Sequence, residues 1–301
     1  YQRRVRGATG QALAVLYRDA ATREPVCVCK VIDLSSTNKA NRCLVKQEAQ
    51  FFKQETCSKL RLGFHVVDYL ASERVGDMLY IYLKYCDKGT LLERIQASQD
   101  CTQPFTEEAV WYVLITAMHA LRRLHRNRII HRDIKPSNIF FDGEDGDLKL
   151  ADFGLMKLVG PEEKPTTKVG TVGYIAPEMG RQGYDERVDV FSLGVTVYQM
   201  VSGTVPMDQT YRLDLAPSEM QPILKSMLSK DPAQRLSGDG FFALGTVQKW
   251  ISFLGELYNM EHVVQEMQEM QGTSDQAQFS IEKIDPLSSL SLRVMLELKL
   301  E

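Results

Sequence analysis

His131-Arg-Asp-Ile-Lys-Pro-Ser-Asn138 packs an acid, two bases, an amide and a helix-breaking Pro136 into eight positions, then runs into the apolar Ile139-Phe-Phe141. Polar groups this dense, beside a proline that fixes the backbone, mark a functional loop rather than a regular element. Asp152-Phe-Gly154 follows fourteen residues after Asn138, at the end of the apolar strand pattern Leu148–Ala151. Further on come Gly170-Thr-Val-Gly-Tyr-Ile-Ala-Pro-Glu178 and Asp189-Val-Phe-Ser-Leu-Gly194.

Upstream of the loop the chain reads as strands. Gly7 and Gly10 precede the alternating run Ala12–Tyr17, and the polar turn Arg18–Pro25 leads to a second run, Val26–Leu34. A side-chain period of two puts Val26, Val28 and Lys30 on one face, so a lysine joins an apolar row. Either it snorkels at a strand edge or it serves a site. Residues 37–54 have helical spacing, with Glu48 midway between Leu44 and Phe52. A carboxylate in an apolar stripe needs a partner unless the helix is turned to solvent, and Lys30 is the candidate. His65–Ala71 and Met78–Tyr85 read as strands around the polar turn Ser72–Asp77. From Gly89 the pattern is helical, Leu91–Ala97 and then Thr106–Arg126, with Thr106 as the cap.

In this order and at these spacings the motifs resemble those of the eukaryotic-type serine/threonine protein kinases, over roughly the first 250 residues. Ile-Asp-Leu-Ser after Val31 and the loop at 131–141 add a weaker likeness to the NIMA-related kinases, and the loop also to the eIF2α kinases. The resemblance implies an α+β, bilobal fold. Its β-rich N-lobe with one main helix would span 1–86 and its helical C-lobe 87–254, leaving an acidic extension at 255–301. It also implies ATP and Mg2+ as cofactors and protein substrates with Ser or Thr acceptors.

By that resemblance Lys30 contacts the α- and β-phosphates and is held by Glu48. Asp152 and Asn138 bind magnesium, Asp133 orients the acceptor hydroxyl and takes its proton, and Lys135 steadies the phosphate in transfer. Lys135, paired with Thr171, points to a Ser/Thr acceptor. The hinge falls at Lys84-Tyr85-Cys86 after the gatekeeper-like Leu83, with backbone groups of Lys84 and Cys86 meeting adenine. Cys86 reads as an unreactive hinge thiol, with reach from the nucleotide pocket as the alternative. Arg132 before Asp133 resembles the arginine of kinases switched by an activation-segment phosphate. The segment Asp152–Glu178 places Thr167, with Thr166 beside it, four residues before Thr171. Lys157 is a further candidate for that phosphate pocket. Asp189, and Arg235 with Glu178, read as structural. Phe52, His131 and Phe153 resemble a spine joining the lobes.

Two departures stand out. The glycine loop keeps Gly7 and Gly10, but Val5 stands where the pattern has its first glycine. Ala12 then takes the roof position of the family's valine, and Val28 that of its alanine, as a volume-exchanged pair. These departures keep a second reading open, a pseudokinase scaffold that works through its fold and extension. In addition, Gly203–Pro222 is shorter than the family norm.

Composition fits this picture. The 301 residues are 44% apolar and 25% charged, ordinary globular values that exclude disordered and collagen-like chains. No apolar run is long enough for a membrane span, and a net charge of −3 gives no basic excess that would call for nucleic acid. Residues 256–301 carry nine acidic and three basic groups, −6, which leaves +3 for the rest. Cys27, Cys29, Cys43, Cys57, Cys86 and Cys101 have neither zinc-site nor disulfide-framework spacing. They read as reduced thiols of an intracellular, cytoplasmic or nuclear, protein. Tyr1 in place of an initiator Met points to a fragment of a longer chain. Trp250, Phe253, Leu257, Met260, Val264 and Met267 form a short 3-4 seam. It either packs on the C-lobe or recruits a partner, so a protein partner or self-association through 255–301 stays open. Residues 278–284 and 289–301 alternate as a strand pair would, and a helix is the alternative for the second.

Overall fold

A computed structural model of the chain describes residues 5–6, 12–35, 65–100, 105–143, 146–160, 163, 165–180, 183–257 and 263–264. The chain divides into two compact units, Tyr1–Val264 and Gln265–Glu301. The second unit, with its expected strand pair, lies outside the described residues. So do the expected helix at 37–54 with Glu48 and Phe52, the loop glycines Gly7 and Gly10, and Cys43, Cys57 and Cys101.

Strands β1 (Val5–Arg6), β2 (Ala12–Arg18), β3 (Pro25–Asp33), β4 (Tyr69–Val75) and β5 (Met78–Lys84) form one antiparallel sheet in the order β1-β2-β3-β5-β4. Alternation along β3 decides its faces. Cys27 and Cys29 are buried on one face, and Val28, Lys30 and the buried Ile32 share the other. Opposite Cys27 and Cys29 in the register stand Tyr17 and Tyr82, whose rings meet edge-on 6.1 Å apart. Cys27, Cys29 and Cys86 are free thiols, all buried.

One strand is displaced from its expected place. The polar run Ser72-Glu-Arg74 lies inside β4 rather than in a turn, and the reversal is confined to Gly76 and Asp77. β4 is the sheet's edge, where polar side chains face water at no cost, and Gly76 supplies the left-handed turn residue with φ +59°.

The rest of the first unit is mainly helical. Helix α1 spans Leu91–Asp100 and α2 spans Glu107–Arg126. Thr106 caps α2 by accepting from the Ala109 amide at 3.3 Å, and Glu107 and Glu108 sit in the first turn, where the helix dipole favours acids. Short strands follow. β6 (Ile129–Ile130) pairs with β9 (Lys157–Leu158), and β7 (Ile139–Asp142) pairs with β8 (Asp147–Leu150). These two ribbons hold the loops that carry the functional motifs. Helix α3 (Arg187–Ser202) is apolar on nearly every side and is buried from Val188 to Tyr198, the mark of a core helix. Helices α4 (Gln221–Met227), α5 (Gly238–Phe242) and α6 (Gly245–Leu257) complete the unit.

Helix α6 carries the chain through the expected boundary at 254/255. Its buried stripe is Val247, Ile251 and Leu254, one step round from the expected seam. Trp250 lies on the flank, stacked on Trp111 of α2 at 5.3 Å, and Phe253 is exposed. The helix therefore packs on α2, and Trp250 and Phe253 of the seam form its margin. Between α3 and α4 the chain makes turns and one 3-10 turn, Leu213–Leu215, in keeping with the short segment there.

Candidate active site

The loop between β6 and β7 is held from below by one carboxylate. Asp189 on α3 is fully buried and accepts from the His131 amide at 2.8 Å, the Arg132 amide at 2.7 Å and His125 Nε2 at 2.9 Å. Burial alone would raise its pKa, but the hydrogen bond from His125 and the nearby donors hold it below the ordinary carboxylate value. Asp189 thus stays charged and pins a strained segment, for Arg132 has φ +69°.

Asp133, also buried, is ringed by donors. Its Oδ2 accepts from Lys135 Nζ at 2.7 Å and Asn138 Nδ2 at 3.0 Å, and its Oδ1 accepts from the Thr171 hydroxyl at 2.7 Å. Lys135 Nζ reaches the Thr171 oxygen as well, at 2.7 Å. Three residues from two distant segments therefore meet at one carboxylate. Asn138 also donates to the Asp133 carbonyl at 2.8 Å, so its amide nitrogen is committed and its oxygen is left to act as a ligand.

Asp152 follows β8 in the left-handed region, φ +60°. Its Oδ1 accepts from Lys30 Nζ at 2.7 Å, joining the sheet to the helical part. Burial works to raise its pKa, and the Lys30 charge and hydrogen bond outweigh this and hold it low. Phe153 tucks under the loop, its ring 4.7 Å from that of His131. Burial lowers the His131 pKa, so the ring is neutral, with Nε2 3.1 Å from the Ala151 carbonyl oxygen. Asp152 and Asn138 offer hard carboxylate and amide oxygens, a set that fits Mg2+ completed by phosphate and water. Among the described residues no cluster of three or more His, Cys, Asp or Glu side chains forms an all-protein metal cage.

At the end of β5 the Lys84 amide donates to the Asp68 carbonyl at 2.9 Å. Leu83 and Phe140 pack against a buried cluster of Val67, Cys86 and Ala151. Burial pushes the Cys86 thiol up to about 12, which keeps it protonated and inert. Val28 and Lys30 share a sheet face. In the β2–β3 register Ala12 lies opposite Ile32, two cross-strand steps from Val28, whereas Leu16 faces Val28 and Ala14 faces Lys30. A register shift between Tyr17 and Arg18 leaves one extra residue, Val26, on β3.

Arg132 gathers several partners from the segment that follows Asp152. Its guanidinium donates to the Leu155 and Met156 carbonyls, to the Thr167 hydroxyl at 3.2 Å and to the Tyr184 hydroxyl at 3.2 Å. Tyr184 in turn donates to the Thr167 carbonyl at 2.9 Å. Thr166 and Thr167 are exposed. Lys157 is drawn elsewhere, to Glu163 at 2.6 Å. Glu178 pairs with the buried Arg235 through both guanidinium nitrogens.

A model of the protein kinase domain matches residues 6–250. The chain belongs to the protein kinase family. Its relatives agree with that placement. The kinase domain is 31% identical over 182 residues to a probable serine/threonine-protein kinase nek2 of Dictyostelium discoideum, covering 54% of this chain and 43% of the relative. It is 38% identical over 144 residues to mouse serine/threonine-protein kinase PAK 1, covering 47% of this chain and 25% of that one. Identity is 30% over 250 residues with human ribosomal protein S6 kinase alpha-6, covering 78% of this chain and 32% of the relative. The kinase chain therefore spans less than half the length of these curated relatives.

Sequence reading missed two contributors. Lys84 pairs with the buried Asp142 at 2.6 Å, and Tyr184 joins Arg132 and Thr167. Asp142 ends the apolar run Ile139-Phe-Phe141, so a buried carboxylate was signalled there, but its partner 58 positions upstream was not. No helix among the described residues is long and apolar enough to cross a membrane.

Proposed function

We propose that the domain is a Mg-ATP-dependent protein kinase that transfers the γ-phosphoryl group of ATP to Ser or Thr hydroxyls of protein substrates. The observation that carries this reading is the meeting of Lys135, Asn138 and Thr171 on Asp133, beside the Lys30–Asp152 pair. Phosphoryl transfer asks the protein mainly for positioning and charge. Asp133 orients the acceptor hydroxyl and takes its proton as the oxygen attacks phosphorus, and the bond to the ADP oxygen breaks. Lys135 offsets charge on the phosphate in transfer, and Thr171 holds both side chains in place. Lys30 engages the α- and β-phosphates, and backbone groups of Lys84 and Cys86 meet adenine. Asp152 and Asn138 would hold magnesium, which supplies neutralisation of phosphate charge. The loop glycines Gly7 and Gly10 and the helix carboxylate Glu48 belong to the same proposal.

The decisive experiment is turnover of ATP with a mixed Ser/Thr peptide library, beside Asp152→Asn. The expected result is phosphopeptide formation that falls at least about a hundredfold in the variant. Phosphopeptide signal equal in both proteins, or none in either, refutes the catalytic reading. The second result returns the domain to a scaffold role.

Regulation follows from the Arg132 contact with Thr167. A phosphate on Thr167 adds a charge of about −2 beside a guanidinium already in place and orders the segment. Phosphorylation there is expected to raise turnover several-fold. A Thr166→Ala/Thr167→Ala protein with undiminished activity would contradict this.

A further inference from the structure

Strand β7 has two faces, and one of them looks away from the nucleotide cleft. Phe140 packs against the Val67, Cys86 and Ala151 cluster. Phe141, next along the strand, lines a separate cavity of about 300 Å3. That cavity lies between the start of α1, the first turns of α2 and the β7–β8 turn at Gly146. Leu91, Val113 and Met200 give it apolar walls, and each of them is buried.

Two cations stand at this cavity, and their situations differ. Lys88 is matched by Asp87 at 3.0 Å. Arg94 is not matched. Among the described residues its guanidinium makes no ion pair and no hydrogen bond, and it lies 3.6 Å above the Phe141 ring. Partial loss of solvent draws its pKa below the ordinary guanidinium value. Glu93, next in the chain, is bonded to the Thr90 amide and hydroxyl. A guanidinium carries five donors in a planar fork that matches a carboxylate. Stacking on Phe141 fixes the plane of that fork and leaves its donors uncommitted.

We infer that this cavity binds a small organic carboxylate bearing a single ring or short apolar chain, with the carboxylate on Arg94 and the apolar part among Leu91, Val113 and Met200. Its volume sits at the lower end of small-molecule clefts, enough for one ring and too little for several peptide side chains. Lys88 strengthens the field at the cavity without forming the specific pair. This inference does not depend on catalysis, because the cavity lies on the opposite face of β7 from the cleft.

The test uses the full chain and 3-phenylpropanoate, with 3-phenylpropanamide as its neutral counterpart, titrated by NMR. The acid is expected to bind saturably and the amide about tenfold more weakly. Arg94→Gln, a change at an exposed position, should bring the acid to the affinity of the amide, and Ala109→Phe should weaken both by filling the cavity. The titration should be unchanged when a non-hydrolysable ATP analogue is present at saturation. Equal affinity for acid and amide, insensitivity to Arg94→Gln, displacement by the nucleotide analogue or absence of saturable binding would each overturn the inference. None of these results bears on phosphopeptide formation, so the two proposals fail separately.

Discussion

Asp189→Asn keeps the shape of a fully buried side chain and changes only its charge and one acceptor. The native carboxylate takes two donors on Oδ2, the His131 amide and His125 Nε2, and one on Oδ1, the Arg132 amide. The best placement of the new amide keeps its oxygen on the first two and turns its NH2 toward the Arg132 N–H. One buried backbone donor then lacks an acceptor, at a cost of about 1–3 kcal/mol. The other two bonds lose their charge assistance, roughly halving each. Relief from burying a charge offsets part of this, leaving a net loss of about 3 kcal/mol. In a domain of this size that lowers the thermal midpoint by about 6–12 °C. The folded pKa of Asp189 is depressed, so its contribution is complete above the unfolded carboxylate value and is lost only as pH falls through the lower folded one. The deficit should therefore be constant from pH 6 to pH 8. Paired urea and thermal unfolding measure it, and turnover should fall too, because Arg132 at φ +69° precedes Asp133 directly. A loss below about 1 kcal/mol with full turnover would refute the idea that this carboxylate holds the loop.

Two further outcomes follow from the same geometry. His131 is neutral in the folded protein and its pKa is lowered by burial, so only the unfolded chain takes up its proton as pH falls below the ordinary 6.5. Acidification below that point should cost at most about 1.4 kcal/mol per pH unit from this residue, and His131→Phe should flatten that part of the stability profile; an unchanged slope counts against it. At the end of β5, Lys84→Met strands the buried Asp142 carboxylate and should cost about 1–2 kcal/mol, discounted because Lys84 is half exposed. Lys84→Met/Asp142→Asn should recover most of that, and strictly additive losses in the double-mutant cycle would show that the pair is not coupled.

The sequence by itself singled out the polar side chains that the structure gathers around Asp133 and Asp152. Asp133, Lys135, Asn138 and Asp152 sit in compact motifs, and local patterning marked most strands and the Thr106 cap, because period and capping are properties of neighbouring residues. Local pattern could not fix the β2–β3 register, which sets Leu16 opposite Val28 and Ala12 opposite Ile32. Nor could it show that Ser72-Glu-Arg74 belongs to an edge strand, since polarity there reflects which side of the sheet faces water. Nor could it show which face α6 buries, because that depends on packing against a distant helix, where Trp250 stacks on Trp111 at the flank. Tertiary structure alone brought Lys84 to Asp142, Tyr184 to Arg132, and Arg94 to an empty-handed position over Phe141. Each joins residues from separate segments, and only packing sets the distance between side chains so far apart in the chain.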